Sequence, residues 1–305
     1  MNPLKFAFKA IRALLIPKYR FFALASRGFY DSMSDEEYLK RAYKYRMGRD
    51  LDLENPRTLT EKLNWLKVYD HNPEYTIMAD KYAVKKFVAD KIGAEHVIPL
   101  LGVYDSFDEI DFDALPEQFV LKCTHDSGGF AICRDKSRFD IKRARKILSR
   151  SLKRTYGVSN REWSYKNVPH KIIAEKYMQD GDNPNLPVYK IFTFNGVPKL
   201  IQAIQDDKTP YETIDYFDTN WQRLKLRQNF PNSKIPYEKP KCFDEMLEIA
   251  AKLSAGIPHV RVDLYQIDGK VYFSEFTFYS DAGFVGFEPP EWDEILGSWL
   301  QLPKK

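Results

Sequence analysis

The stretch "HVRVDLYQIDGKVYFSEFTF", residues 259–278, decides the fold. Apolar and polar residues alternate on either side of Asp268-Gly269, a dipeptide that favours the tight turn of an antiparallel hairpin. Side chains two apart on a strand share a face, so Arg261 goes with Asp263, and Glu275 with Thr277. Whether the two pairs share one face depends on the turn. A two-residue Asp268-Gly269 loop pairs Ile267 with Lys270 and sends Asp263 and Glu275 to opposite faces. A three-residue loop with Gly269 left-handed pairs Gln266 with Lys270 and unites all four. Two carboxylates, a hydroxyl and a guanidinium on one sheet face make poor core packing. They suit oxygen ligation of Mg²⁺ beside a phosphate clamp, or else a solvated, salt-bridged face.

Other stretches extend the same pattern. "PVYKIFTFNGVPKLIQAIQ" (187–205) reads as two strands joined at Asn195-Gly196. "FVLKCTHDSGGFAIC" (119–133) is two apolar runs around a polar tip. A Gly-rich tip lets backbone N–H groups approach phosphate oxygens, and Lys122, His125 and Ser127 add donors or charge. Such a hairpin can close over a nucleotide, or it is a flexible surface turn. "HKIIAEKYMQDGD" (170–182) is an apolar strand leading through Glu175 to a polar loop with Asp182, as expected where adenine meets strand-edge backbone and a carboxylate takes ribose hydroxyls. Helices are expected in "SDEEYLKRAYKYRMG" (34–48), capped by Ser34, and in "TLTEKLNWLKVYD" (58–70), capped by Thr58 or Thr60. "PEYTIMADKYAVKKFVADKIG" (73–93) reads as one helix ending on Gly93. A strongly basic helix follows at 140–157 and another ends on Gly256. Antiparallel strand pairs with separate helices define an α+β fold, not a parallel βαβ run.

Composition is that of an ordinary soluble globular protein: 305 residues, 44% hydrophobic and 30% charged, enough for one large domain or two to three subdomains. Cys123, Cys133 and Cys242 show neither metal spacing nor a disulfide framework, which suits a reducing cytoplasm. The net charge of +4 is uneven. Residues 1–30 carry Lys5, Lys9, Arg12, Lys18, Arg20 and Arg27 and no acid, so the remainder is slightly acidic. A uniformly basic nucleic-acid binder is thereby excluded. The N-terminal stretch is too basic, and too interrupted by Pro17, for a spanning helix or a secretory signal. It suits either an anionic membrane face, at the inner side of the plasma membrane, or docking on the core with a solvated basic side.

"ADKYAVKKF" (79–87), "FVLKCTHDSGG" (119–129), "IIAEKYM" (172–178), "YKIFTFNG" (189–196) and the opening hairpin occur in the order and spacing of ATP-grasp enzymes. Over residues 58–290 the chain resembles that superfamily. Through "LTEKLNWLKVYD" and "IPLLGVYDSFDEIDFDALPEQFVLKC" it resembles the TupA-like branch, found in loci for bacterial surface polysaccharides and named for teichuronopeptide synthesis. The resemblance implies two α+β subdomains clasping ATP. The expected organisation is a basic helical region at 1–57, a helical and strand subdomain at 58–116, a lid at 117–180 and a core at 181–305. Lys81 and Lys122 would contact ATP phosphates from opposite sides, and His125, Asp126, Ser127, Gly128 and Gly129 would form the loop covering them. Glu175 and the Met178 backbone would lie near adenine, Asp182 at the ribose and Lys190 at the terminal phosphates. Arg261 would stabilise the transferring phosphoryl group, with Asp263 and Glu275 on Mg²⁺. Thr277 stands where the family usually has Asn, a weaker third ligand.

The implied activity is carboxylate–amine ligation through an acyl phosphate. The implied substrates are a uronic acid of a surface polysaccharide or its lipid-linked precursor, and an amino acid. "YSDAGFVGF" (279–287) and the basic helix Lys142–Lys153 are candidates for binding the acceptor. Two rivals are a kinase acting on a sugar hydroxyl and a glycosyltransferase using Asp111-Phe112-Asp113 on a metal.

Overall fold

The computed structural model describes residues 15–181, 186–206, 209–235 and 237–304. Asp182 and the basic residues Lys5, Lys9 and Arg12 lie outside the described residues. In chain order come α1 (Pro17–Ala25), α2 (Asp35–Met47), α3 (Leu59–Tyr69), α4 (Glu74–Ala79), α5 (Ala83–Ile92), β1 (Leu100–Tyr104), β2 (Phe119–Cys123) and β3 (Phe130–Cys133). Then follow α6 (Ile141–Leu152), β4 (Ile172–Lys176), β5 (Val188–Phe194), β6 (Val197–Gln205), β7 (Thr213–Phe217), α7 (Phe243–Ser254), β8 (His259–Ile267), β9 (Lys270–Thr277) and α8 (Glu291–Trp299). Two antiparallel sheets result, ordered β1-β4-β2-β3 and β7-β6-β5-β8-β9.

Each sheet has its own core. The small one buries Phe119, Leu121, Ile172 and Ala174 against Ala144 and Leu148 of α6. The large one buries β5, β6, β8 and β9 against α7 and against α2 and α3, through residues such as Tyr38, Leu39, Leu59 and Leu63. The expected 58–116 unit is therefore divided. Its helices join the large core, and its strand β1 pairs with β4 in the small sheet. The helix α1 docks on the large core through Phe21, which is 3% exposed and packs on the rings of Tyr30, Tyr38 and Tyr45. Lys18, Arg20 and Arg27 stay exposed. Among the described residues no helix is long and apolar enough to cross a membrane.

Local sequence explains the element ends. Ser34 Oγ accepts from Glu37 N and Gly48 closes α2 at φ 72°. Thr58 and Glu61 form a reciprocal capping box at α3. The single helix expected at 73–93 is two. Asp80 leaves helical geometry (φ −78°, ψ 113°) and its Oδ1 accepts from Tyr82 N, starting α5 afresh. Lys81 sits in the break, and its backbone N–H donates to Thr124 O at 3.1 Å, tying the helices to the β2–β3 loop.

The decisive hairpin follows neither of the two simple registers. Asp268 (φ 49°) and Gly269 (φ 72°) make a two-residue turn that pairs Ile267 with Lys270. That register alone would part Asp263 from Glu275. A β-bulge between Asp263 and Leu264, with Ser274 the extra residue on β9, shifts the phase once more. Asp263 then lies opposite Glu275 and Arg261 opposite Thr277, so the four polar residues share a face.

Candidate active site

Between the sheets lies a cleft of about 900 Å³ lined from both sides. On the large sheet, Lys190, Asp263 and Glu275 are directly opposite one another on three adjacent strands and form a polar row. Asp263 is buried, and Arg261 grips it twice, Nε to Oδ1 and Nη2 to Oδ2, both at 2.7 Å. Nη2 also donates to Thr277 Oγ1 at 3.0 Å. Lys190 Nζ lies 3.9 Å from Asp263 Oδ2, and Lys81 Nζ 3.9 Å from Glu275 Oε2. Burial raises the Asp263 carboxyl, and the Arg261 and Lys190 charges offset this only in part. For Glu275 burial acts the same way, but Lys81, Lys190 and Arg261 outweigh it and hold the carboxyl below the usual range. Burial also opposes the Arg261 charge, yet Asp263 more than compensates and its pKa is raised.

The donor set fits Mg²⁺. Two carboxylates facing an open cleft, one of them held ionised, are what this ion uses when substrate phosphates and water complete its octahedron. Each Asp263 oxygen keeps a lone pair beyond its bond to Arg261. Thr277 Oγ1 also keeps a lone pair beyond its bond to Arg261, but as a neutral hydroxyl it adds no charge to the set. No cluster of three or more His, Cys, Asp or Glu able to hold a metal occurs among the described residues.

The small sheet supplies the facing wall. Lys122 Nζ lies 2.6 Å from Glu175 Oε2, and Lys85 Nζ lies 2.5 Å from Glu175 Oε1. Glu175 faces Val120 across β2 and β4, so Lys122 reaches it diagonally. Burial alone would raise the Glu175 carboxyl, but Lys122 and Lys85 overcome it and the pKa is lowered. Lys85 was not among the expected site residues. Its signal was present in "DKYAVKK", four positions after Lys81. Beyond this pair the cleft turns apolar, lined by Ile98, Val120, Ile132, Leu186, Val188 and Phe273 with half-buried Met178. That end suits a flat heteroaromatic ring.

The β2–β3 loop departs from expectation. His125 is fully buried, stacked on His170 at 3.7 Å, with Nε2 against the carbonyls of Ser151 and Arg154. It does not line the cleft. Asp126 accepts from Gly129 N (2.8 Å) and Gly128 N (3.3 Å) and from Ser151 Oγ, so it takes the N–H groups expected to face phosphate. Lys81 Nζ donates to Asp126 O at 2.8 Å, which joins the loop to the Glu275 end. Ser127 and Gly129 remain on the cleft wall. A Cβ at Gly129 would lie 2.2 Å from Ser151 Oγ and 2.8 Å from Asp126 Oδ1. Gly129→Ala is expected to cost about 1–3 kcal/mol through overpacking. A urea melt reads this, and an unchanged midpoint would show the loop to be freely adaptable.

Two other expectations fall away. Asp111 Oδ1 accepts from Asp113 N and Ala114 N, an exposed local turn away from the cleft, which removes the basis for a metal-binding "DFD". The basic face of α6 is solvated and contributes nothing to the cleft.

The chain belongs to the TupA-like ATP-grasp family: the family described as TupA-like ATPgrasp matches residues 61–301. No curated protein matches the chain. Among solved structures it is similar to L-amino acid ligase from Bacillus licheniformis, at 12% identity over 90% of this chain and 63% of that one, TM-score 0.49. It is also similar to D-alanine–D-alanine ligase from Bacillus anthracis complexed with ATP (15%; 66% and 54%; 0.39). The Helicobacter pylori D-alanine–D-alanine ligase gives 13%, 80% and 65%, and 0.38. The chain thus spans between half and two thirds of the length of these structures.

Proposed function

We propose that the protein is an Mg²⁺- and ATP-dependent ligase joining a carboxylate to an amine. The observation that carries this reading is the row Lys190–Asp263–Glu275, clamped by Arg261, flanked by Lys81 and facing Lys122 across one cleft. A carboxylate attacking the γ-phosphorus of ATP brings two anions together, and ADP must depart in line. Preorganised cations neutralise that charge and fix the geometry. Met178 and its apolar neighbours would hold the base, Lys122 and Lys81 the phosphates, and Lys190 and Arg261 the transferring group. Asp263 and Glu275 would hold Mg²⁺, which supplies charge neutralisation at the phosphates when bound. An amine nitrogen then displaces phosphate from the acyl carbon, giving an amide, inorganic phosphate and a proton.

The acceptor in this proposal is a uronic acid of a surface polysaccharide or its lipid-linked precursor, and the amine an amino acid; both rest on the family association alone. A lipid-linked acceptor suits an enzyme at an anionic membrane. Leu15 (75%) and Phe29 (69%) are exposed beside Lys18, Arg20 and Arg27, a combination that favours such a surface.

Calorimetric titration tests the nucleotide step. ATP is expected to bind in an Mg²⁺-dependent way, and Lys122→Ala to weaken it by roughly tenfold or more, the loss of one charge-assisted contact. Binding of UDP-sugars without ATP would overturn the reading. Phosphate release that requires an added amine separates a ligase from a kinase on a sugar hydroxyl.

A further inference from the structure

One residue of α2, a helix that precedes the family match, reaches the cleft wall. This is Arg46, which lines the cleft with Glu162, Tyr165 and Tyr279. Its guanidinium lies between two rings, 4.6 Å from the Phe22 centroid and 4.4 Å from that of Phe284. Stacking of this kind fixes the plane of the fork without using its N–H groups. Arg261, Arg49 and Arg161 each hold a carboxylate, at Asp263, Asp293 and Asp35. Arg46 has no hydrogen bond or ion pair among the described residues.

Arg46 stands here against one carboxylate, Glu162, and beside Lys67, whose pKa burial pushes down to about 7. Glu162 is the carboxylate whose charge acts on Arg46, and it also faces the buried Lys67 while accepting from Asn160 Nδ2. Lys67 Nζ donates to Ala282 O at 2.6 Å and lies 4.3 Å from the Phe284 centroid. Asp281 also lines the cleft, but it takes Asn229 Nδ2 and acts on Arg261 instead. The turn carrying these groups is rigid. Asp281 and Ala282 sit at φ 48° and 52°, held because Lys67 and Asn64 Nδ2 take the carbonyls of Ala282 and Gly283. Tyr279 and Phe284 are therefore presented in fixed positions on either side of it.

We infer that Arg46, with Tyr165 and Tyr279, forms a subsite for an anionic group of the acceptor, a carboxylate or phosphate remote from the carboxylate that reacts. Lys81, Lys122 and Lys190 serve the nucleotide end in the ligase reading, which leaves Arg46 of the same cleft for the acceptor. The helical region before residue 61 is then part of substrate selection. This rests on the ligase reading of the cleft.

The test titrates the full chain, saturated with Mg²⁺ and a non-hydrolysable ATP analogue, with D-glucarate and D-glucuronate 1-phosphate, which add a second carboxylate or a phosphate to the first carboxylate, and with D-glucuronate itself. At least one of the two doubly acidic sugars is expected to bind more tightly than D-glucuronate, and which one does so distinguishes carboxylate from phosphate. Arg46→Met, which keeps bulk between the rings, is expected to weaken that binding roughly tenfold or more and leave the affinity for the ATP analogue unchanged. Arg46→Lys, with the charge but not the planar fork, is expected to fall between. If Arg46→Met fails to fold, Arg46→Lys carries the test, and unaltered sugar affinity in it overturns the subsite. Equal sugar binding by wild type and Arg46→Met does the same, as does a wild-type chain that binds the ATP analogue but neither doubly acidic sugar more tightly than D-glucuronate. A wild-type chain that fails to bind the analogue strikes instead at the ligase reading.

Discussion

Asp263→Asn and Glu275→Gln are expected to remove Mg-ATP turnover while the protein stays folded, and Asp263→Ala to destabilise it as well. The two activity losses follow from charge. Each amide keeps the shape and an acceptor oxygen but removes the anion that would hold Mg²⁺ in the proposed reading, and losing one such electrostatic contact at phosphoryl transfer lowers kcat by ~100- to 1,000-fold or more. The stability contrast follows from Arg261. Its side chain is 10% exposed and its fork is satisfied mainly by Asp263. Asn loses the charge but still offers the fork one oxygen and so costs less, whereas Ala leaves a buried guanidinium with only the hydroxyls of Thr277 and Ser280. Breaking a buried pair in this way costs about 3–5 kcal/mol. Phosphate release and urea melts on the same preparations check both halves. Full activity in either isosteric variant sinks the metal assignment, and an Asp263→Ala melt equal to wild type sinks the account of Arg261.

The hairpins were legible because turn chemistry is local. Asn195-Gly196 and Asp268-Gly269 adopt the left-handed pairs their composition favours. The bulge was harder, yet it leaves a trace. Buried Val271 and Phe273 keep the two-residue period, and the next buried apolar residues, Phe276 and Phe278, resume it three positions on. That phase slip is the extra residue. The break at Asp80 has a similar trace, since Asp is a good helix N-cap and a poor interior residue. His125 had none: a histidine in a Gly-rich tip reads as a donor toward phosphate, and only tertiary packing turns it inward onto His170. Arg46 was equally silent. Its place in the cleft depends on Phe22 and Phe284, distant in the chain and brought together by the docking of α1 and the turn after β9.

Glu175→Gln is expected to be the most destabilising isosteric change in the small sheet, and its effect should fade in acid. Glu175 is buried and answers two lysines at once, Lys85 and Lys122. Removing its charge leaves both without their anion. Lys85, with its side chain 14% exposed against 28% for Lys122, is the more desolvated and bears more of the cost. The loss at neutral pH is about 3 kcal/mol, the lower part of the range for breaking a buried pair, because Lys122 retains contact with water. The sign of the pH dependence follows from the direction of the shift. The folded carboxyl titrates below its unfolded value, so its stabilisation is complete above the ordinary glutamate range, near pH ~4.3, and is lost as pH falls through the folded pKa. Urea melts of wild type and Glu175→Gln should therefore differ widely at pH 7 and converge at low pH. Adding Lys85→Met to Glu175→Gln removes the costlier orphaned charge and should recover part of the loss, a coupling of about 0.5–3 kcal/mol between the two positions. Equal midpoints at pH 7, or additive effects in the double variant, would mean that Glu175 does not hold the two lysines and that the nucleotide wall is organised by something else.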